Sequence, residues 1–163
     1  MKISKPFLLP PIVTTLLFFV LQYVTRQITV TFAETLKISA HIFDSVTFIS
    51  ISAILSTMST LLIGISTFQF WRDRTSVNPL NFEGTQTLVV RGVFRLTRNP
   101  MYLGFFLLLV ALGFLLDNIA SMIIAMLFIP VMTQLQIKPE EQYLKEKFGE
   151  SYESYCANVR RWL

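Results

Sequence analysis

Four stretches of this chain contain no charged side chain: residues 6–25, 45–71, 99–116 and 118–137. An α-helix rises 1.5 Å per residue, so about 20 apolar residues cross the hydrocarbon core of a bilayer, with about 17–25 tolerated. Spans over 6–25, 46–70, 99–116 and 118–137 are therefore expected. Composition agrees. Hydrophobic residues make up 53% of the 163 residues and charged ones 15%, against about 25% charge in an ordinary soluble domain. A soluble domain of this size has too much surface for its volume to hide so many apolar side chains. A soluble enzyme, a disordered chain and a collagen-like fibre are excluded. The expectation is one all-α integral membrane domain, 1–163, of four transmembrane helices.

The first stretch follows Lys2 and Lys5 but ends without a small-x-small cleavage pattern, so it is expected to be a retained span. Pro10 and Pro11 are expected in its first turns, where a missing N–H costs least. Only Asp117, with Asn118 beside it, separates the last two spans, which makes them a helical hairpin closed by a minimal polar turn. Lys and Arg orient the whole. The segments before span one, between spans two and three, and after span four hold twelve of them; the intervening side holds only Arg26 and Lys37. Basic residues collect on the cytoplasmic side, so both termini are expected there. The net charge of +4 is then a topology signal, with no nucleic-acid partner implied. Cys156 and His41 each stand alone, which excludes an internal disulfide and a Cys/His metal site. No obligate protein partner is evident.

Two polar segments do not belong to a passive anchor: the loop 72–98 and the tail 138–163, both expected to be cytosolic. The loop ends in Arg98-Asn99-Pro100-Met101-Tyr102-Leu103-Gly104. Pro100 suits a first helical turn and Asn99 an N-cap. Such an end either faces lipid phosphates or, with Arg98, holds a ligand carboxylate, with Tyr102 offering a ring and a hydroxyl. The tail opens with Glu140 and Glu141 and carries Tyr143, Phe148, Tyr152, Tyr155 and Trp162. It reads as an amphipathic interfacial helix broken near Gly149. Two carboxylates at a membrane boundary call for a cation, and a sulfonium or ammonium held by carboxylates and ring faces would supply one. There is no G-x-G-x-x-G, P-loop, H-E-x-x-H or G-x-S-x-G, which excludes a Rossmann dinucleotide site.

With these residues the chain resembles the integral-membrane methyltransferases of the isoprenylcysteine carboxyl methyltransferase and phospholipid methyltransferase superfamily. The resemblance runs from Thr75-Ser76-Val77-Asn78-Pro79 to Trp162. It rests on Leu88-Val89, Gly92-Val93-Phe94, Arg98 to Gly104, Glu140-Glu141, and Phe148-Gly149-Glu150 followed by Tyr152, Tyr155 and Val159. It implies S-adenosylmethionine as cofactor, held on the cytosolic side under the hairpin, and a lipophilic or lipid substrate entering from the membrane. By resemblance, Gln86, Thr87, Leu88, Val89 and Phe94 form the cofactor loop. Asn99, Pro100, Met101 and Tyr102 match the R-H-P-x-Y element, and Glu141, with its neighbour Glu140, matches the tail glutamate. Arg98 and Tyr102 are the candidates for a catalytic role.

Two positions depart from the prenylcysteine branch. Asn99 stands where that branch has His, and Gln136 stands at its substrate-binding Arg. An amide cannot pair with a carboxylate as a guanidinium fork does. A substrate without a free carboxylate, an amine or a thiol, is expected to fit better at Gln136. Two alternatives stay open: an NADPH-dependent sterol-type reductase of the same superfamily, which the acidic pair disfavours, and a non-catalytic membrane protein that keeps the fold.

Overall fold

The computed structural model describes residues 11–35, 45–73 and 87–163. Lys2, Lys5, Pro10, Lys37, His41, Arg74, the Asn78-Pro79 pair and Gln86 lie outside them. The described residues are mostly helical and contain no strand. Six α-helices follow one another: α1 (Pro11–Thr35), α2 (Ser45–Arg72), α3 (Pro100–Leu115), α4 (Ile119–Met132), α5 (Lys138–Phe148) and α6 (Glu150–Asn158). A 3-10 turn, Gly92–Arg95, precedes α3, and a π turn, Thr133–Ile137, joins α4 to α5.

Three rods are long and apolar enough to cross a bilayer: Pro11–Ala33, Val46–Arg72 and the continuous Ile119–Phe148. They mark the chain as a membrane protein. Helix α3 is shorter, with 16 residues, or about 24 Å. Two boundaries differ from the sequence expectation. Helix α1 does not end near residue 25 but runs on to Thr35. Arg26 fails to break it because its guanidinium reaches across to donate to the Leu116 carbonyl at the end of α3 (3.3 Å). The fourth stretch does not stop at residue 137 either, since its helix passes through the π turn into the polar α5.

In lipid, helices gain little by hiding apolar side chains, so close backbone approach and interhelical hydrogen bonds carry the packing. Helices α2 and α3 pack along small residues. Ser52 donates to the Ala111 carbonyl (2.9 Å) and Ser59 to the Gly104 carbonyl (2.7 Å). A Cβ on Gly104 would fall 2.6 Å from Ile63 Cγ1 and 3.2 Å from the Ser59 carbonyl, so glycine is what lets the helices meet. Helix α1 docks through Gln22, whose amide bridges the carbonyls of Leu109 (3.0 Å) and Ser121 (2.8 Å). Phe18 meets Phe128 edge-on at 5.4 Å. The core is a band of Leu109, Ala125, Phe128, Met132 and Ile137.

The hairpin turn spans Leu116 to Asn118, with Asp117 at φ 48°. Asn118 caps α4 by accepting from Ser121 N (3.0 Å). Asn99 sits at the N-cap position of α3 but does not cap it through its side chain. Its amide donates instead to the Arg161 carbonyl (2.9 Å), a contact that depends on how the chain folds back.

Candidate functional site

Two segments far apart in sequence form the walls of a cleft beneath the start of α3. Thr87, Leu88 and Val89 line one side, and the 3-10 turn adds Phe94. That turn begins at Gly92, whose φ of 60° and contact with Gln69 leave no room for a Cβ. The geometry aims Phe94 inward, where its ring lies 5.0 Å from that of Phe70 on α2. On the other side the π turn presents Ile137, and α5 presents Glu140, Glu141 and Leu144. Helix α6 turns back at Gly149 (φ 52°) and returns Tyr152 and Tyr155 to the cleft. Tyr155 ties the halves together by donating to the Phe94 carbonyl (2.6 Å). Burial pushes its phenol up from its ordinary pKa, so it remains a neutral donor. The cleft encloses only about 70 Å³, under the range of about 300–1,000 Å³ usual for small-molecule sites, and about 650 Å³ when the open solvent at its mouth is counted.

The two tail glutamates sit in different surroundings. Glu141 is clasped by cations: Arg161 donates to it through both Nε (2.9 Å) and Nη2 (2.6 Å), and Arg98 Nη2 stands 3.1 Å away. This bidentate fork is the strong, directional form of an ion pair. Glu141 in turn pushes the Arg161 pKa up through that hydrogen bond. Glu140, one residue earlier, makes no ion pair among the described residues. It accepts a hydrogen bond from the Tyr102 hydroxyl (2.9 Å). The sequence suggested that the acidic pair waits for a ligand cation. For Glu141 the structure supplies two arginines instead, and the unmet carboxylate is Glu140.

Arg98 has several contacts. Its Nη1 donates to Cys156 Sγ, its Nη2 meets Glu141, and its buried Nε has no hydrogen-bond partner. An orphaned guanidinium N–H at the wall of a cleft suits a ligand carboxylate. The C-terminal residues hold this arrangement. Arg98 N donates to the Arg160 carbonyl (3.0 Å) and Thr97 Oγ1 to that of Arg161 (3.0 Å). Trp162 Nε1 donates to Thr133 Oγ1 (3.0 Å).

Of the residues singled out from sequence, Thr87, Leu88, Val89, Phe94, Arg98, Asn99, Glu140 and Glu141 come together around the cleft. Pro100, Met101, Tyr102 and Gln136 do not line it. Pro100 opens α3, and Tyr102 acts from behind Glu140. Gln136 lies in the π turn, 1% exposed. Sequence reasoning missed Arg161, Phe70 and Leu144. The Arg160-Arg161 pair was visible as charge, but nothing local said which of the two turns inward. Among the described residues no group of His, Cys, Asp and Glu is placed to hold a metal.

These residues fit a sulfonium-bearing amino acid nucleoside: an orphaned arginine donor for a carboxylate, aromatic faces on Phe94, Tyr152 and Tyr155, and an acidic group at Glu140.

Comparison with known proteins points the same way. The protein-S-isoprenylcysteine O-methyltransferase of Schizosaccharomyces pombe is 37% identical over 72 residues, which cover 44% of this chain and 30% of that protein. Protein-S-isoprenylcysteine O-methyltransferase A of Arabidopsis thaliana is 32% identical over 88 residues, 54% of this chain and 45% of the relative. An uncharacterized protein of Haemophilus influenzae is 44% identical over 63 residues, 39% of this chain and the whole of the relative. The chain thus spans less than half the length of these two named methyltransferases. Residues 45–151, well over half of the chain, match the phospholipid methyltransferase family, and the chain belongs to that family.

Proposed function

We propose that this protein transfers a methyl group from S-adenosylmethionine to a lipophilic or lipid substrate at the cytosolic face of a membrane. One observation carries the reading: the cleft gathers residues 87–99 and 137–155, the two stretches where the resemblance to these methyltransferases is concentrated. The cofactor supplies an electrophilic methyl on a sulfonium. Arg98, through its free Nε, would hold the cofactor's carboxylate. Val89, Leu88, Phe94 and Tyr155 would enclose its nucleoside, and Glu141 would fix Arg98 in place. Most of the rate gain would come from alignment and from excluding water. Glu140 and Tyr102 are the groups placed to handle a proton.

The same reading makes α3 the third of four spans, slightly short for a bilayer of about 30 Å and accommodated by local thinning or snorkelling. Residues 1–163 then form one domain. The loop 72–98 and the tail 138–163 lie in the cytosol with both termini, as the placement of Lys and Arg supports. The substrate enters laterally from the membrane. The NADPH-reductase alternative is weaker here: Glu140 and Glu141 both line the cleft, and paired carboxylates disfavour a phosphorylated dinucleotide.

Titration of the detergent-solubilised chain with S-adenosylmethionine and with NADPH tests the reading. Binding of the first alone is expected, followed by transfer of radiolabelled methyl to a component of a membrane lipid extract. Binding of NADPH alone, or of neither, overturns it.

A further inference from the structure

On the methyltransferase reading, which this inference presupposes, Glu140 acquires a role that Glu141 cannot share. Both carboxylates line the cleft, but one step along a helix turns them about 100° apart. Glu141 faces the tail, where Arg98 and Arg161 neutralise it. Glu140 faces α3. There it accepts from the Tyr102 hydroxyl (2.9 Å), and it makes no ion pair among the described residues. Tyr102 belongs to the buried cluster of Leu109, Phe128, Met132 and Ile137, and Ile137 also lines the cleft. Glu140 therefore stands at the end of the cleft nearest the membrane helices, with one neutral hydrogen bond and no positive charge to meet it. A carboxylate drawn out of water in this way is costly until a cation arrives.

S-adenosylmethionine carries two positive charges. Its α-ammonium adjoins its carboxylate. With the carboxylate on Arg98 Nε, unpartnered at the wall of the cleft, the ammonium stays on the side of Arg98 and Glu141. The sulfonium lies two methylenes further along, and its methyl has to face the membrane helices to meet a substrate that enters from lipid. That is the end held by Glu140. We infer that Glu140 reads the charge on the cofactor's sulfur: it pairs with the sulfonium of S-adenosylmethionine and has no partner in the neutral thioether left after transfer, so the cleft prefers fresh cofactor to spent. In the transfer an electron pair of the acceptor forms the bond to the methyl carbon. The carbon–sulfur bond breaks with its pair going to sulfur, and the positive charge passes with the methyl to the acceptor. The product keeps the carboxylate, the ammonium and the nucleoside, and loses only the charge that Glu140 meets. Glu140 is then a specificity residue that favours exchange of product for cofactor.

Calorimetric titration of the full chain in lipid nanodiscs tests this with three ligands: S-adenosylmethionine, its product S-adenosylhomocysteine, and sinefungin, in which a carbon bearing an ammonium replaces the methylated sulfur. Both ligands charged at that position should bind about tenfold more tightly than the thioether, the worth of one charge-assisted contact. Glu140→Gln keeps the shape and can still accept from Tyr102. It should weaken the two charged ligands and leave thioether affinity unchanged, so that the preference disappears. If this variant does not fold, the ranking of the three ligands on the unaltered chain decides alone. The inference is overturned, and the methyltransferase reading survives, if the thioether binds as tightly as S-adenosylmethionine or if sinefungin is as weak as the thioether. The same holds if Glu140→Gln leaves the preference intact or weakens all three ligands equally, as pairing with their shared α-ammonium would. Binding of none of the three overturns both.

Discussion

Helices α1 and α2 leave side chains such as Ile12, Val20, Phe32, Ile54 and Trp71 largely uncovered, and a few hydroxyl and amide contacts to backbone carbonyls join them to α3 and α4. The seam between residues 87–99 and the tail is built the opposite way. There the contacts are ion pairs and side-chain hydrogen bonds, span from 20 to 61 residues of sequence, and centre on Glu141, Arg98 and Arg161. The first region depends on lipid to cover it and tolerates change wherever a side chain points outward. The second depends on a small number of paired charges, and removing one strands the others. Loss of a helix contact should therefore appear as lost stability, and loss of a seam contact as lost binding.

The largest test of this division is topological. With alkaline phosphatase, active only outside the cytoplasm, a fusion at Leu163 should be silent in a bacterial host and one within residues 30–40 should be active. An active enzyme at Leu163 would sink the four-span arrangement and move the seam to the wrong side of the membrane. Next in size is Glu141→Gln, which uncouples Arg98 and Arg161 at once. Breaking a partly buried, hydrogen-bonded charge pair costs about 2–5 kcal/mol, so S-adenosylmethionine affinity should fall roughly 30-fold or more. Glu150→Gln removes the same charge from an exposed site and should leave calorimetric affinity unchanged; equal losses would mean that overall tail charge, not a site, governs binding.

Gly104→Ala probes the other region. Its methyl group would press on Ile63 and the Ser59 carbonyl, an overpacking worth about 1–3 kcal/mol. The thermal midpoint should fall while the folded protein binds cofactor normally. A weakened cofactor affinity without a thermal shift would show that the two regions are not separable. Smallest is Tyr155→Phe, which removes one hydrogen bond to Phe94. A loss of about 1 kcal/mol is expected, read as a severalfold rise in the cofactor dissociation constant.

The sequence revealed much of the first region and about half of the second. Uncharged stretches mark helices in lipid regardless of tertiary detail, which is why α2 and the α3–α4 hairpin fall where the charge pattern puts them. The end of α1 was misplaced because Arg26 looks like a boundary until its side chain is seen to serve Leu116. In the seam, Phe94, Arg98 and Glu141 carry local motifs. Arg161 carries none, and its role arises only when α6 folds back at Gly149. Glu140 and Glu141 look interchangeable in sequence, yet a step of one residue, about 100° around the helix, gives one of them two arginines and the other a tyrosine.

The π turn at Thr133–Ile137 has its own origin and consequence. Lys138 N bonds to the Thr133 carbonyl five residues back, and Pro139 follows at once, unable to donate to a carbonyl four residues earlier. The wider loop absorbs one residue more than an α-turn would. Helical phase is cumulative, so deleting a single residue from this turn would rotate α5 by about 100° relative to α4 without altering either helix. Glu140 and Glu141 would then face away from residues 87–99, with every side chain of the seam still present in the chain. The turn thus works as an angular coupling between the membrane-embedded rod and its polar continuation, and a one-residue insertion or deletion here should inactivate the protein.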